Sequence, residues 1–192
     1  MLNRWRLFIA VPVPGETRAA MVDWLGSWDA RRRGWRPVRA EGIHLTLRFL
    51  GDTDPGIVPG LAEALAGVGA ASRPAALVGA GWGVFPGPAR PRVLWAGLRG
   101  DPGPLLDLAR RVEEMAVRLG FPRERRPFRA HLTLARARRD RRPGLPGGPD
   151  SRAPEFGPVP VREAVLYRSH LEPAGARYEA LARAPVGGEG SP

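Results

Sequence analysis

Two tetrapeptides hold two of the three side chains in this chain that ordinarily titrate near neutral pH. His44-Leu45-Thr46-Leu47 lies within EGIHLTLRFLG, and His131-Leu132-Thr133-Leu134 within FRAHLTLARAR. The chain has only three histidines and four threonines, so two of each are committed to one repeated motif. The chance that two given histidines both carry Thr two residues on is about one in two thousand at this threonine content. In an extended strand side chains alternate, so His44 and Thr46 face one way and Leu45 and Leu47 the other; His131, Thr133, Leu132 and Leu134 repeat the pattern. The leucines then fasten each strand to a core, and an imidazole and a hydroxyl share the opposite face. A lone histidine in such a strand is usually a hydrogen-bonded structural residue. A pair that keeps its threonines while the neighbouring segments diverge points to function.

Two imidazoles on either side of a cleft supply a base and an acid for an in-line displacement, because an ordinary histidine titrates near pH ~6.5. Threonine hydroxyls on the cleft floor can donate to the non-bridging oxygens of a phosphate, and a guanidinium can clamp them. Arg136, five residues after His131, is the first candidate clamp. Strict alternation places it on the face away from His131, so a bulge or the strand end must turn it in. Arg48, four after His44, lies on the histidine face by parity and is a second candidate for substrate binding.

Other chemistries find less support. With no cysteine there is no thiolate nucleophile, disulfide framework or thiolate zinc site. No H-E-x-x-H or aspartate cluster accompanies the histidines, so no metal and no cofactor are expected, and no G-x-S-x-G marks a serine hydrolase. His170, in YRSHLEP, lacks Thr two residues on and reads as a loop or surface residue.

The elements that must position the motifs repeat with them. The histidines are 87 residues apart, and the apolar runs RLFIAV (6–11) and VLWAGL (93–98) share that offset. Both runs read as buried strands, each followed by a helix. Met21, Trp24, Leu25 and Trp28 have the i, i+3, i+4, i+7 spacing of one buried face. Leu105, Leu108, Ala109, Val112, Met115 and Leu119 form the equivalent stripe, with Asp101 and Pro102 at its start and Gly120 at its end. The strand candidates AALVGAGWGVF (75–85) and REAVLYRSHLE (162–172) also superimpose. The expected fold is therefore α+β: two pseudo-symmetric lobes, each an antiparallel sheet with helices on its outer face, and the active-site cleft between them. Ile57, Leu61, Ala64, Leu65 and Val68 predict a helix that only the first half contains. The Arg, Pro and Gly-rich segment 138–158 predicts a mobile loop, and residues 187–192 a disordered tail.

At 192 residues one bilobal domain accommodates everything. No membrane-spanning run or signal peptide is evident, and the expectation is a cytoplasmic monomer. The net charge of +11 suits a polyanionic partner, although all thirty basic residues are arginine and a GC-rich codon bias would produce the same excess.

On these motifs the chain resembles the two-histidine (2H) phosphoesterase superfamily, and within it the RNA 2',3'-cyclic phosphodiesterases, also called 2'-5' RNA ligases. RLFIAV, IHLTLRFLG, FPGPARPRVLWAGL, FRAHLTLARAR and LYRSHLEPAGARYEALARAPV carry the resemblance over nearly the whole length. It implies metal-independent hydrolysis of a terminal 2',3'-cyclic phosphate to a 2'-phosphomonoester, with 2'-5' ligation as a side activity. It also implies roles: His44 as proton donor, His131 as proton acceptor, and Thr46, Thr133 and Arg136 on the phosphate. The residues alone do not distinguish the two proton roles. Phe49, Phe85 and Phe128 lie near the motifs and offer faces for a nucleobase, with core packing as the alternative. Arginines at 90–92, 123–129 and 138–142 could follow an RNA backbone. Ala130 stands where the family often has proline. The alternatives are a phosphodiesterase for a small nucleotide cyclic phosphate, and a non-catalytic RNA-binding protein of the same fold.

Overall fold

The computed structural model describes residues 4–140, 142–147, 154–172 and 175–187. Their order is β1 (Trp5–Pro12), α1 (Gly15–Ser27), β2 (Trp35–Pro37), β3 (His44–Thr53), α2 (Val58–Ala70), β4 (Ala75–Phe85), β5 (Val93–Arg99), α3 (Gly103–Arg118), β6 (Leu132–Ala137), β7 (Glu155–Val161), β8 (Glu163–Glu172) and β9 (Gly175–Pro185). The apolar stripes seen in the sequence become the helix faces that are buried. Met21 and Leu25 point inward on α1, Leu61, Leu65 and Val68 on α2, and Leu105, Leu108, Ala109, Val112 and Met115 on α3. Asp101 accepts a hydrogen bond from the Gly103 amide at 2.9 Å and so satisfies an amide at the start of α3.

The strands form one antiparallel sheet in the order β7-β4-β5-β6-β3-β1-β8-β9, with β2 paired to β6. The sheet divides into two lobes, β7-β4-β5-β6 and β3-β1-β8-β9. Between them the ladder narrows to one pair, Leu45 opposite Leu132. These leucines are themselves 87 residues apart, so the pseudo-two-fold axis passes through this bridge.

The lobes do not coincide with the two halves of the sequence. β4 belongs to the first half but pairs with β5 and β7, and β8 belongs to the second half but pairs with β1. The helices exchange too: α1 packs on β7, where Thr17 donates to the Pro158 carbonyl at 2.8 Å, and α3 packs on β3. Each half is thus built into both lobes, and the cleft walls cannot separate without unravelling both repeats.

Three expectations need correction or limits. The loop expected over 138–158 does not run so far, because residues 155–158 begin β7, an edge strand. Phe156, Val159 and Val161 are buried there, and Pro158 and Pro160 are tolerated because an edge strand has one face of its ladder free. Residues 148–153 lie outside the described residues, as does the tail from 188 onward. His170 is not in a loop: it sits on β8 with Nε2 2.7 Å from Glu179 Oε2 on β9, a structural pair outside the cleft. Among the described residues no helix is long and apolar enough to cross a membrane.

Candidate active site

A bulge in each motif strand decides what faces the cleft. Along β3, Ala10 of β1 lies opposite Thr46 and Ile9 opposite Arg48, so Leu47 is an extra residue in the ladder. Along β6, Trp95 of β5 lies opposite Thr133 and Leu94 opposite Ala135, so Leu134 is the extra one. Both bulges fall on the second leucine of HLTL, and each reverses the alternation that follows. Arg136 therefore joins the His131 and Thr133 face, as a phosphate clamp requires. Arg48 goes the other way, contrary to the parity expectation. Its side chain is only 9% exposed and is held on the helix-bearing face by Glu113 of α3 at 2.6 Å, Glu124 at 3.5 Å, and the Phe49 and Pro122 carbonyls. It ties β3 to α3. Phe49 takes the cleft position that Arg48 vacates; it is 57% exposed and 6.0 Å from Phe8.

The Leu45–Leu132 bridge puts both leucines in the core and leaves their neighbours on the other face. In that register His44 comes opposite Thr133 and Thr46 opposite His131, so the four polar groups form a square with the imidazoles on one diagonal. Diagonal neighbours in a sheet stand roughly 7–8 Å apart, which leaves room for one phosphate between the rings. Arg136 and His131 both lie near enough to His44 for their charges to oppose its protonation.

Each imidazole is held by the carbonyl side of the residue two before it. His131 Nδ1 lies 2.7 Å from the Arg129 carbonyl, which can only accept, so Nδ1 carries a proton and Nε2 is the ring nitrogen left to the cleft. The Gly42 backbone makes the equivalent hydrogen bond to His44, and Gly42 and Arg129 are again 87 residues apart.

The surroundings of the two rings differ. His44 stacks on Phe8 at 4.8 Å and meets the edge of Tyr178 at 5.1 Å, with Tyr167 at 6.4 Å. Burial in this aromatic box lowers its pKa to about 4; the Gly42 hydrogen bond opposes the shift, and Arg136 and His131 add to it. His131 meets the edge of Phe85 at 5.1 Å, and Phe85 is stacked on Trp95 at 5.1 Å. Gly83 permits that stack, because a Cβ there would collide with the Trp95 indole.

Of the aromatic candidates, Phe49 and Phe85 reach the cleft, whereas Phe128 is half-buried against the hydrophobic core. Sequence reasoning missed Phe8, Tyr167 and Tyr178. The chain has two tyrosines, and both stand beside His44. The scarcity that singled out threonine would have singled out tyrosine as well. Among the described residues no three His, Cys, Asp or Glu side chains converge as a metal-binding group.

A two-lobed antiparallel sheet that presents two His-x-Thr faces and one arginine to a shared cleft defines a phosphoesterase of the two-histidine class. The chain belongs to the LigT-like phosphoesterase family, whose model matches residues 11–95 and 100–178. It is 37% identical over 187 residues to an RNA 2',3'-cyclic phosphodiesterase of Geobacillus stearothermophilus, a match that takes in 96% of this chain and 58% of that protein's length. A protein of the same name from Archaeoglobus fulgidus is 34% identical over 176 residues, covering 92% of this chain and 97% of its own. Among solved structures, Escherichia coli LigT complexed with 3'-AMP superimposes with a TM-score of 0.79 at 29% identity, over 96% of this chain and 99% of that one.

Proposed function

We propose that this protein is an RNA 2',3'-cyclic phosphodiesterase, which opens the terminal cyclic phosphate to a 2'-phosphomonoester. The observation that carries the reading is the square of His44, Thr46, Thr133 and His131 around the Leu45–Leu132 bridge, with Arg136 turned into it by the bulge at Leu134. Water attacks phosphorus as His131 Nε2 accepts its proton. The bond from phosphorus to the 3' oxygen breaks, and His44 protonates that oxygen. Thr46, Thr133 and Arg136 hold the non-bridging oxygens, where negative charge builds up in the transition state. A 5'-hydroxyl in place of the water yields a 2'-5' linkage, which is the ligase side activity. All five side chains come from one chain, so a monomer suffices.

In the empty cleft His44 is neutral at pH 7, because its pKa is about 4. A phosphate anion offsets Arg136 and gives the imidazolium a counter-ion, so substrate binding and protonation of His44 favour each other. Exposed arginines at 90, 92, 123, 125, 126, 138 and 139 give the RNA strand a positively charged approach.

The test is incubation with an oligonucleotide ended by a 2',3'-cyclic phosphate, with and without EDTA. A 2'-phosphate product formed at equal rates in both is expected. A 3'-phosphate product overturns the 3' oxygen as the leaving group, and binding without product favours the RNA-binding alternative. Turnover confined to cyclic mononucleotides favours the small-nucleotide reading.

A further inference from the structure

The wall that carries His131 extends past the reacting centre as a row of four residues. Phe85 on β4 lies opposite Val93 on β5, Val93 opposite Arg136 on β6, and Arg136 opposite Arg36 on β2. Residues directly opposite each other in an antiparallel ladder point to the same face, so Arg36 shares the face that Arg136 gives to the cleft. Its neighbour agrees: Trp35 is buried in the core, and its indole donates to the Gly144 carbonyl at 2.6 Å, which anchors β2 in this register. Arg36 itself is exposed. Among the described residues neither guanidinium makes a hydrogen bond or an ion pair.

Like charges directly opposite in a sheet are destabilising. Two arginines so placed, with no carboxylate bonded to either, are relieved by phosphate, which a guanidinium binds through paired hydrogen bonds. The reacting phosphate occupies Arg136, so a second phosphate falls to Arg36. At the other end of the row Phe85 meets the edge of His131 at 5.1 Å and offers an aromatic surface. Three strand spacings separate the ends, roughly 14 Å, enough for a nucleoside and the phosphate that follows it.

Which strand of RNA belongs there follows from the side of attack, on the phosphodiesterase reading above. In-line displacement puts the nucleophile on the side of the base, His131, and the leaving 3' oxygen on the side of His44. A water molecule needs neither an aromatic surface nor a second guanidinium. We infer that this row is an acceptor site for an RNA strand with a free 5'-hydroxyl, with Phe85 against its first nucleobase and Arg36 on the phosphodiester 3' to that nucleoside. Stacking of this kind tolerates any base. The 5' oxygen then forms its bond to phosphorus as its proton passes to His131, the bond to the 3' oxygen breaks, and His44 supplies the proton to that oxygen. The balance is that of hydrolysis with RNA in place of water. Ligation therefore has a site of its own, and that site reads one phosphate of the acceptor.

The experiment holds the donor constant, an oligonucleotide ended by a 2',3'-cyclic phosphate, and compares two acceptors. One is a 5'-hydroxyl dinucleotide, and the other is a 5'-hydroxyl nucleoside, which lacks the 3' phosphodiester. Wild type, Arg36→Ala and Arg36→Met are assayed with both acceptors on one preparation, so any misfolded fraction cancels in the ratio of ligation rates. Arg36→Met keeps the aliphatic stem for the case in which alanine does not fold. Wild type is expected to favour the dinucleotide, and losing a charge-assisted hydrogen bond to phosphate should lower the ratio about tenfold in either variant. An unchanged ratio in a folded variant, or a wild-type ratio near one, overturns the acceptor site. So does a wild type that hydrolyses the donor but ligates neither acceptor; in each of these cases the phosphodiesterase reading stands. If wild type neither hydrolyses nor ligates the donor, that reading falls and the acceptor site falls with it.

Discussion

Five residues beyond His44 the chain presents Phe49 to the cleft, and five beyond His131 it presents Arg136; the two positions are related by the same 87-residue offset as the histidines. Both are turned inward by a bulge on the second leucine of the motif. The repeat therefore preserves a backbone device along with the His and Thr, but the device delivers different chemistry on each side. One lobe offers an apolar face, two tyrosines and a cavity, and buries its histidine against Phe8. The other offers a guanidinium and a histidine whose Nδ1 is bonded to the Arg129 carbonyl, which leaves Nε2 to the cleft. A symmetric frame with asymmetric walls suits the substrate of the proposed reaction, which is itself asymmetric.

If this comparison holds, the shared histidines matter most. His44→Ala and His131→Ala should each reduce kcat roughly 10³-fold with folding intact by circular dichroism, the scale expected for one acid or base. Full activity in either would break the claim that the lobes act together. Next is the position at which they differ: Arg136→Ala should cost about 10²-fold in kcat, and Phe49→Ala only about fivefold, in KM. Equal losses would mean that the bulge position, not the side chain placed there, carries the effect. Arg48→Ala should leave kcat close to wild type yet cost about 3 kcal/mol of stability in denaturant titrations, because Glu113 loses its partner.

The smallest effect concerns His44 itself. Its folded pKa of about 4 lies below the ordinary imidazole value near 6.5, so on acidification the unfolded chain binds the proton first. The stability that comes from keeping this ring neutral is full above pH ~6.5 and is lost as the pH falls through 4, a total of about 3 kcal/mol. His44→Gln should flatten that part of the stability profile. Imidazole NMR titration should show the His44 pKa rising when inorganic phosphate is added; no movement would separate it from the anion site.

Much of this was legible in the residues. The scarcity of His and Thr exposed the paired motifs, the 87-residue offset exposed the strand–helix–strand repeats, and the i, i+3, i+4, i+7 stripes marked the helix faces that are buried. Parity arguments worked as far as the threonines and failed at the bulge. Sequence could require a bulge for Arg136, but the same bulge in β3 sent Arg48 to Glu113 and brought Phe49 into the cleft. A bulge depends on the register of the neighbouring strand, which no window of one strand contains. β7 was hidden by its prolines, which are acceptable only because the strand is at an edge.

By itself the sequence determined the chemistry available: two imidazoles, two hydroxyls and an arginine in a duplicated setting, with leucines to fasten them. Those follow from residue type and local periodicity. Only the tertiary structure decided that β4 and β8 change lobes, that Leu45 meets Leu132 at the axis, and that both tyrosines enclose His44. These are long-range pairings between segments far apart in the chain. They determine where burial lowers a histidine's pKa and which side chains line each wall of the cleft.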